Sequence, residues 1–86
     1  MKLTTAELKL AFAEARLTTP EGSRWKHKKG GTYIVSGHAL DTDTGLIRVS
    51  YRRIAGPDFD AAAERYFYYS RPIGEWAPDR FTEITG

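Results

Sequence analysis

Residues 46–54 read Leu-Ile-Arg-Val-Ser-Tyr-Arg-Arg-Ile, a stretch in which apolar and polar side chains alternate. Ile47, Val49 and Tyr51 fall on one side of an extended backbone and Arg48, Ser50 and Arg52 on the other, the pattern of a sheet with one wet face. Turn chemistry brackets the stretch. Asp41-Thr42-Asp43-Thr44-Gly45 precedes it, with side chains that hydrogen-bond their own backbone, and Gly56-Pro57-Asp58 follows it. Upstream, Lys29-Gly30-Gly31 supplies a tight turn between extended segments at Arg24–Lys28 and Thr32–Leu40. Downstream, Asp60–Glu64 reads as a helical turn, Arg65–Ser70 as a strand stopped or bent by Arg71-Pro72, Pro78-Asp79 as a second helical turn, and Thr82–Thr85 as a last short strand.

Before residue 24 the pattern is helical. Thr4-Thr5-Ala6-Glu7 fits a capping box, with Leu3 and Leu8 as a hydrophobic staple. Leu8, Ala11, Phe12 and Ala15 then recur at helical spacing, so an amphipathic helix is expected over residues 4–16, with 17–23 as a linker broken by Pro20 and Gly22. Ten of the eleven aromatic residues lie beyond residue 24. The expected fold is therefore one domain, mainly β: a small SH3-like antiparallel barrel, or a bent sheet, over residues 24–85 with one N-terminal α-helix.

Composition narrows the class. Eighty-six residues close a single hydrophobic core. The absence of cysteine removes disulfides, thiolate zinc sites and cysteine nucleophiles and suits a reducing compartment. No uninterrupted apolar run approaches the ~20 residues of a bilayer crossing, and Glu7, Lys9 and Glu14 interrupt the one stretch that resembles a signal peptide. A soluble, cytoplasmic protein without membrane association is expected.

Within the β region, Trp25-Lys26-His27-Lys28-Lys29-Gly30-Gly31-Thr32-Tyr33-Ile34-Val35, then Gly37 and Ala39, Thr42-Asp43-Thr44, Val49-x-Tyr51, Phe67 with Arg71-Pro72, and Arg80-Phe81-x-Glu83 form a recognisable series. It resembles the small bacterial and phage family catalogued as domain of unknown function 1653, over about residues 24–84. In the usual pattern of that family the Arg-Pro pair lies close to the terminal Phe, whereas here residues 73–79 intervene. The resemblance implies a fold and carries no activity with it.

The net charge of +2 is unevenly spread. Between Arg24 and Arg53 stand seven basic residues against Asp41 and Asp43, and the remainder of the chain is net acidic. Lys26, Lys28, Lys29, Arg48 and Arg52 are candidate phosphate contacts if their strands present one basic stripe, with Trp25 and Tyr68 as candidate stacking platforms for bases. Lysines and arginines on sheet edges also serve simply to discourage aggregation. Tyr69, Arg71 and Trp76 are candidates for a protein-binding groove of the kind small barrels present. Tyr66-Phe67-Tyr68-Tyr69 on a strand must split between two faces, and the N-terminal helix is expected to cover the outer pair through Leu8 and Phe12. Gly30-Gly31 matches no nucleotide-binding fingerprint, Asp41–Gly45 lacks the spacing of a calcium loop, and His27 and His38 read as packed or edge histidines. No catalytic residue, metal site or cofactor is indicated. The leading expectation is a non-enzymatic module for nucleic acid or a nucleotide-bearing partner, and the alternative is a protein-interaction adaptor. Oligomeric state is left open.

Overall fold

The computed structural model of the chain describes residues 3–76 and 80–84. Helix α1 (Thr5–Thr18) leads into strands β1 (Arg24–His27), β2 (Thr32–Leu40) and β3 (Ile47–Ala55). A short helix α2 (Ala61–Glu64), strand β4 (Tyr69–Pro72), one 3₁₀ turn (Ile73–Glu75) and strand β5 (Phe81–Ile84) complete it. The strands form one antiparallel sheet in the order β4-β3-β2-β1-β5, curled into a half-barrel. Among the described residues the two outer strands do not pair with each other, so the curl stays open. The Cα radius of gyration, 13.7 Å, accordingly exceeds the ~12 Å of a closed globule of this length.

The expected capping box forms: the Glu7 amide donates to Thr4 Oγ1 at 3.1 Å, and the Thr4 amide donates to Glu7 Oε1 at 3.0 Å. The helix runs past Arg16 to Thr18 and ends when the Thr19 amide and hydroxyl both donate to the Ala15 carbonyl. Ala15 is its one buried helical residue, and the helix lies against β2 and β3. It does not cover the Tyr66–Tyr69 run, of which Tyr66 and Tyr68 remain 68% and 66% exposed.

That run is also not a strand throughout. Asp60 caps α2 by accepting from the Ala62 and Ala63 amides, and the turn continues as the amides of Arg65, Tyr66 and Phe67 donate back to Ala61, Ala63 and Glu64. Those amides are spent locally, so pairing with β3 starts only at Tyr69 and extends through Arg71 and Pro72. Proline is tolerated there because β4 is an edge strand and its missing N–H leaves no partner unsatisfied. The expected turn at Pro78-Asp79 lies outside the described residues.

Two register shifts shape the sheet. One falls between Val35 and Gly37, where Ser36 is the extra, exposed residue. It reverses the alternation of β2, so His38 and Leu40 join Tyr33 and Val35 on the concave face opposite Val49 and Ile47. Inward His38 meets α1: its Nε2 lies 2.7 Å from Thr19 Oγ1, whose own proton is committed to the Ala15 carbonyl. The imidazole therefore donates from Nε2, which leaves His38 Nδ1 deprotonated and buried without a partner among the described residues.

The concave face holds the core, made of Val35, Val49, Tyr51, Trp76 and Phe81, with Trp25, Tyr33 and Ile73 packed against it. Trp76 stacks on Phe81 at 4.0 Å between ring centroids and 5° between planes, and meets Trp25 and Tyr51 edge to face. Phe81 is thus the central contact of a core with few members. Phe81→Ala is expected to cost about 3–5 kcal/mol of the ~4–13 kcal/mol typical of this length. Urea titration followed by tryptophan fluorescence measures it, and Phe81→Leu should recover much of the loss.

Candidate anion-binding site

The end of the concave face beyond Phe81 is not filled. A cavity of about 600 Å³ opens there between the β1–β2 hairpin, the loop after β3, and the facing side chains of β3, β4 and β5. Its apolar floor is Tyr33, Tyr51 and Phe81, and its rim carries Lys28, Lys29, Arg53, Arg71 and Arg80 together with His27.

Local geometry explains each position. Gly30 adopts φ +106°, which lets the hairpin reverse over Lys28, Lys29 and Gly30, closed by the Gly30 amide on the His27 carbonyl. Gly56, at φ +130°, has no room for a side chain: a Cβ there would lie 2.9 Å from the Gly31 Cα. Gly31 and Pro57, beside that contact, line one side of the cavity. Lys28 and Lys29 ride on the hairpin, and the Lys28 amide donates to the Arg80 carbonyl at 2.9 Å, which joins the turn to the start of β5.

The arginines differ in what they are free to do. Arg53 is a clamp: it pairs with buried Glu64 at 3.5 Å and donates to the Pro57 carbonyl, holding α2 and its loop against β3. Glu64 also accepts from the Asp60 amide at 3.1 Å, so its charge is shared locally. Arg71 uses Nε to bond the Tyr51 hydroxyl at 3.1 Å and sits 5.3 Å over the Phe81 ring. With Trp76 stacked on one face of Phe81, the guanidinium takes the other and keeps its terminal nitrogens for the cavity. Lys28, Lys29, Arg71 and Arg80 form no ion pair among the described residues.

His27 packs edge-on to Phe81 at 4.9 Å, and its Nδ1 accepts from the Lys29 amide at 3.1 Å, so the neutral ring carries its proton on Nε2. Burial pushes its pKa down, and the charges of Arg71, Lys29, Lys28 and Arg80 push it further. The imidazole and the four cations thus share one end of the concave face, close enough to feel one another's charge. Tyr33 is shifted up, chiefly by burial, and stays a phenol that can donate.

The residues singled out by sequence divide between two faces. Lys26, Arg48 and Arg52 lie on the convex face, as does Arg24, whereas Lys28 and Lys29 lie at the rim of the concave cavity. The single stripe through Lys26, Lys28, Arg48 and Arg52 therefore does not form: strand β1 ends at His27 and Lys28 enters the turn. Arg48 is occupied, bonded to Ser70 Oγ at 2.7 Å and paired with Asp41 at 3.6 Å. Arg52 lies 5.9 Å over the exposed ring of Tyr68. Trp25 is no open platform, because it packs on Trp76 and donates its indole N–H to Ser23 Oγ at 2.8 Å. Trp76 is 9% exposed and packs in the core, and with Trp25, Ile73 and Phe81 it also lines a second, mainly apolar cavity of about 660 Å³ beside the end of α1. Tyr69 stacks on Tyr51 at 5.7 Å and stays 38% exposed.

Sequence reading passed over His27, Tyr33, Arg53 and Arg80 as members of one site. Arg53 continues the phase of Val49 and Tyr51, so alternation alone places it inward. Arg80 reaches the cavity through the β1–β5 pairing, which no local pattern encodes.

The lowered pKa of each histidine predicts an acid-sensitive fold. Burial lowers the pKa of His38 as it does that of His27, with Arg16 adding to the lowering and Glu21 and the Thr19 contact opposing it. A base whose folded pKa lies below its unfolded value near 6.5 contributes stability that is complete above that pH and is lost as pH falls through the folded value. The urea midpoint is expected to drop between pH 7.5 and pH 5.5, and a His27→Gln, His38→Gln double variant should show a smaller drop. A scan against protein-family models finds no match to this chain, and the searches of curated proteins and of solved structures likewise find none.

Proposed function

We propose that this chain is a non-enzymatic binding module that engages nucleic acid, or a nucleotide-bearing partner, through the cationic end of its concave face. The observation that carries the reading is the gathering of Lys28, Lys29, Arg71 and Arg80 around one cavity, while Glu64 is bonded to Arg53. Guanidinium and ammonium groups held together without carboxylates repel one another, and a phosphate-bearing ligand relieves that repulsion through charge-assisted hydrogen bonds. Tyr69, stacked beside the floor and partly exposed, offers a surface on which a base can lie. The family resembled over residues 24–84 carries no activity, so a bacterial or phage setting is itself part of this proposal and the ligand is left to the chemistry of the cavity. A cytoplasmic location belongs to the same proposal, and no described helix is long and apolar enough to cross a membrane.

A second reading, a protein-interaction adaptor, draws support from the exposed run Tyr66, Phe67 and Tyr68 before the edge strand β4. The two separate by salt. Binding of a fluorescent single-stranded oligonucleotide, followed by anisotropy, should weaken with a log–log salt slope of about −2 to −3, as expected for three or four neutralised phosphates. Lys28→Glu with Lys29→Glu should abolish it, whereas Lys26→Glu on the convex face should change it less than about threefold. Absence of any oligonucleotide binding at low salt would overturn the leading reading. Capture of a protein that survives moderate salt and is lost on Tyr66→Ser with Phe67→Ser would favour the adaptor.

A further inference from the structure

The shape of the cavity bears on which phosphate it takes. An internal phosphodiester carries one charge and has chain leaving it on both sides, and proteins that follow such a backbone spread their cations along an open groove. Here the cations are gathered instead of spread. Lys28, Lys29, Arg71 and Arg80 surround a single volume of about 600 Å³ whose floor is closed by Tyr33, Tyr51 and Phe81. One side is lined by Gly31 and Pro57, where the hairpin and the loop after β3 meet.

The donor chemistry also suits a compact, doubly charged group. Arg71 is fixed by its bond to the Tyr51 hydroxyl and its seat on Phe81, so its terminal nitrogens present a pre-set fork. The two hairpin lysines add mobile point charges from the opposite side, and neutral His27 holds a donor at Nε2. A phosphate monoester brings three free oxygens and a charge of about −1.5 to −2 at neutral pH, against two free oxygens and one charge for a diester.

Resting on the nucleic-acid reading above, we propose that the cavity receives a terminal phosphate, the monoester at the end of a strand, in preference to an internal phosphodiester. The chain end enters against the closed floor, and the adjoining nucleotide leaves toward Tyr69. The test compares three otherwise identical single-stranded 12-mers by anisotropy at one fixed salt concentration: 5′-phosphorylated, 3′-phosphorylated, and bearing hydroxyls at both ends.

One phosphorylated form is expected to bind about tenfold or more tightly than the hydroxyl form, and the preferred end identifies the polarity of the site. Lys28→Ala with Lys29→Ala, at exposed positions and with folding checked by circular dichroism, should erase that difference. Arg71→Ala should do the same, with Arg71→Lys as the milder replacement if Tyr51 loses its place. Equal affinity for all three oligonucleotides would overturn the terminal-phosphate proposal and leave the nucleic-acid reading standing. Failure of all three to bind at low salt would overturn both. A phosphate-dependent gain that persists in the lysine double variant and in both Arg71 variants would place the end group elsewhere and overturn the proposal as well.

Discussion

Phe81 belongs to two environments at once, and the rest of the molecule is arranged around that fact. Trp76 stacks on one face of its ring, and the Arg71 guanidinium rests on the other. The first contact is the centre of a small aromatic core, worth about 0.5–1.5 kcal/mol beyond simple burial. The second holds a cation at the boundary between that core and water, worth about 0.5–1 kcal/mol at a partly exposed site. A single ring thereby separates an aromatic half of the concave face, which borders α1 and an apolar cavity, from a half lined with positive charge.

Charge in the open half is maintained against its own repulsion by geometry. Arg53 spends its charge on Glu64 and fastens the loop that supplies one wall, and Arg71 spends one nitrogen on Tyr51. The remaining cations are carried on a hairpin and at the start of an edge strand, both tied by backbone bonds that do not depend on side-chain charge. Folding energy and binding chemistry are thus supplied by different atoms. Nine of the eleven acidic residues lie outside residues 24–53, and no carboxylate is among the described residues that line the cavity.

Much of the fold is legible locally. The Thr4–Glu7 box, the Lys29-Gly30-Gly31 turn and the alternation of residues 46–54 each encode an element through contacts a few residues apart, and each forms. What local reading misses is set by partners far away in sequence. The Ser36 bulge turns His38 inward to meet Thr19 at the end of α1, and nothing in the strand's own pattern announces that reversal. Nearer at hand, the Tyr66 and Phe67 amides donate to the Ala63 and Glu64 carbonyls, a local capture that keeps both residues out of the sheet. The candidate site follows the same rule. Lysines at 28 and 29 are visible as charge, but their convergence with Arg71 and Arg80 requires β1 to lie between β2 and β5, with β4 on the far side of β3.

The contact between Gly31 and Gly56 has a consequence for how such a cavity can change over generations. Where two main chains touch, no choice of side chain widens or narrows the gap, so the dimension they set is inherited as a property of the scaffold. Diversification of the guest must instead proceed by lengthening the 57–60 connection or by exchanging the groups at the mouth, which alters what is held there without altering how far apart the jaws stand.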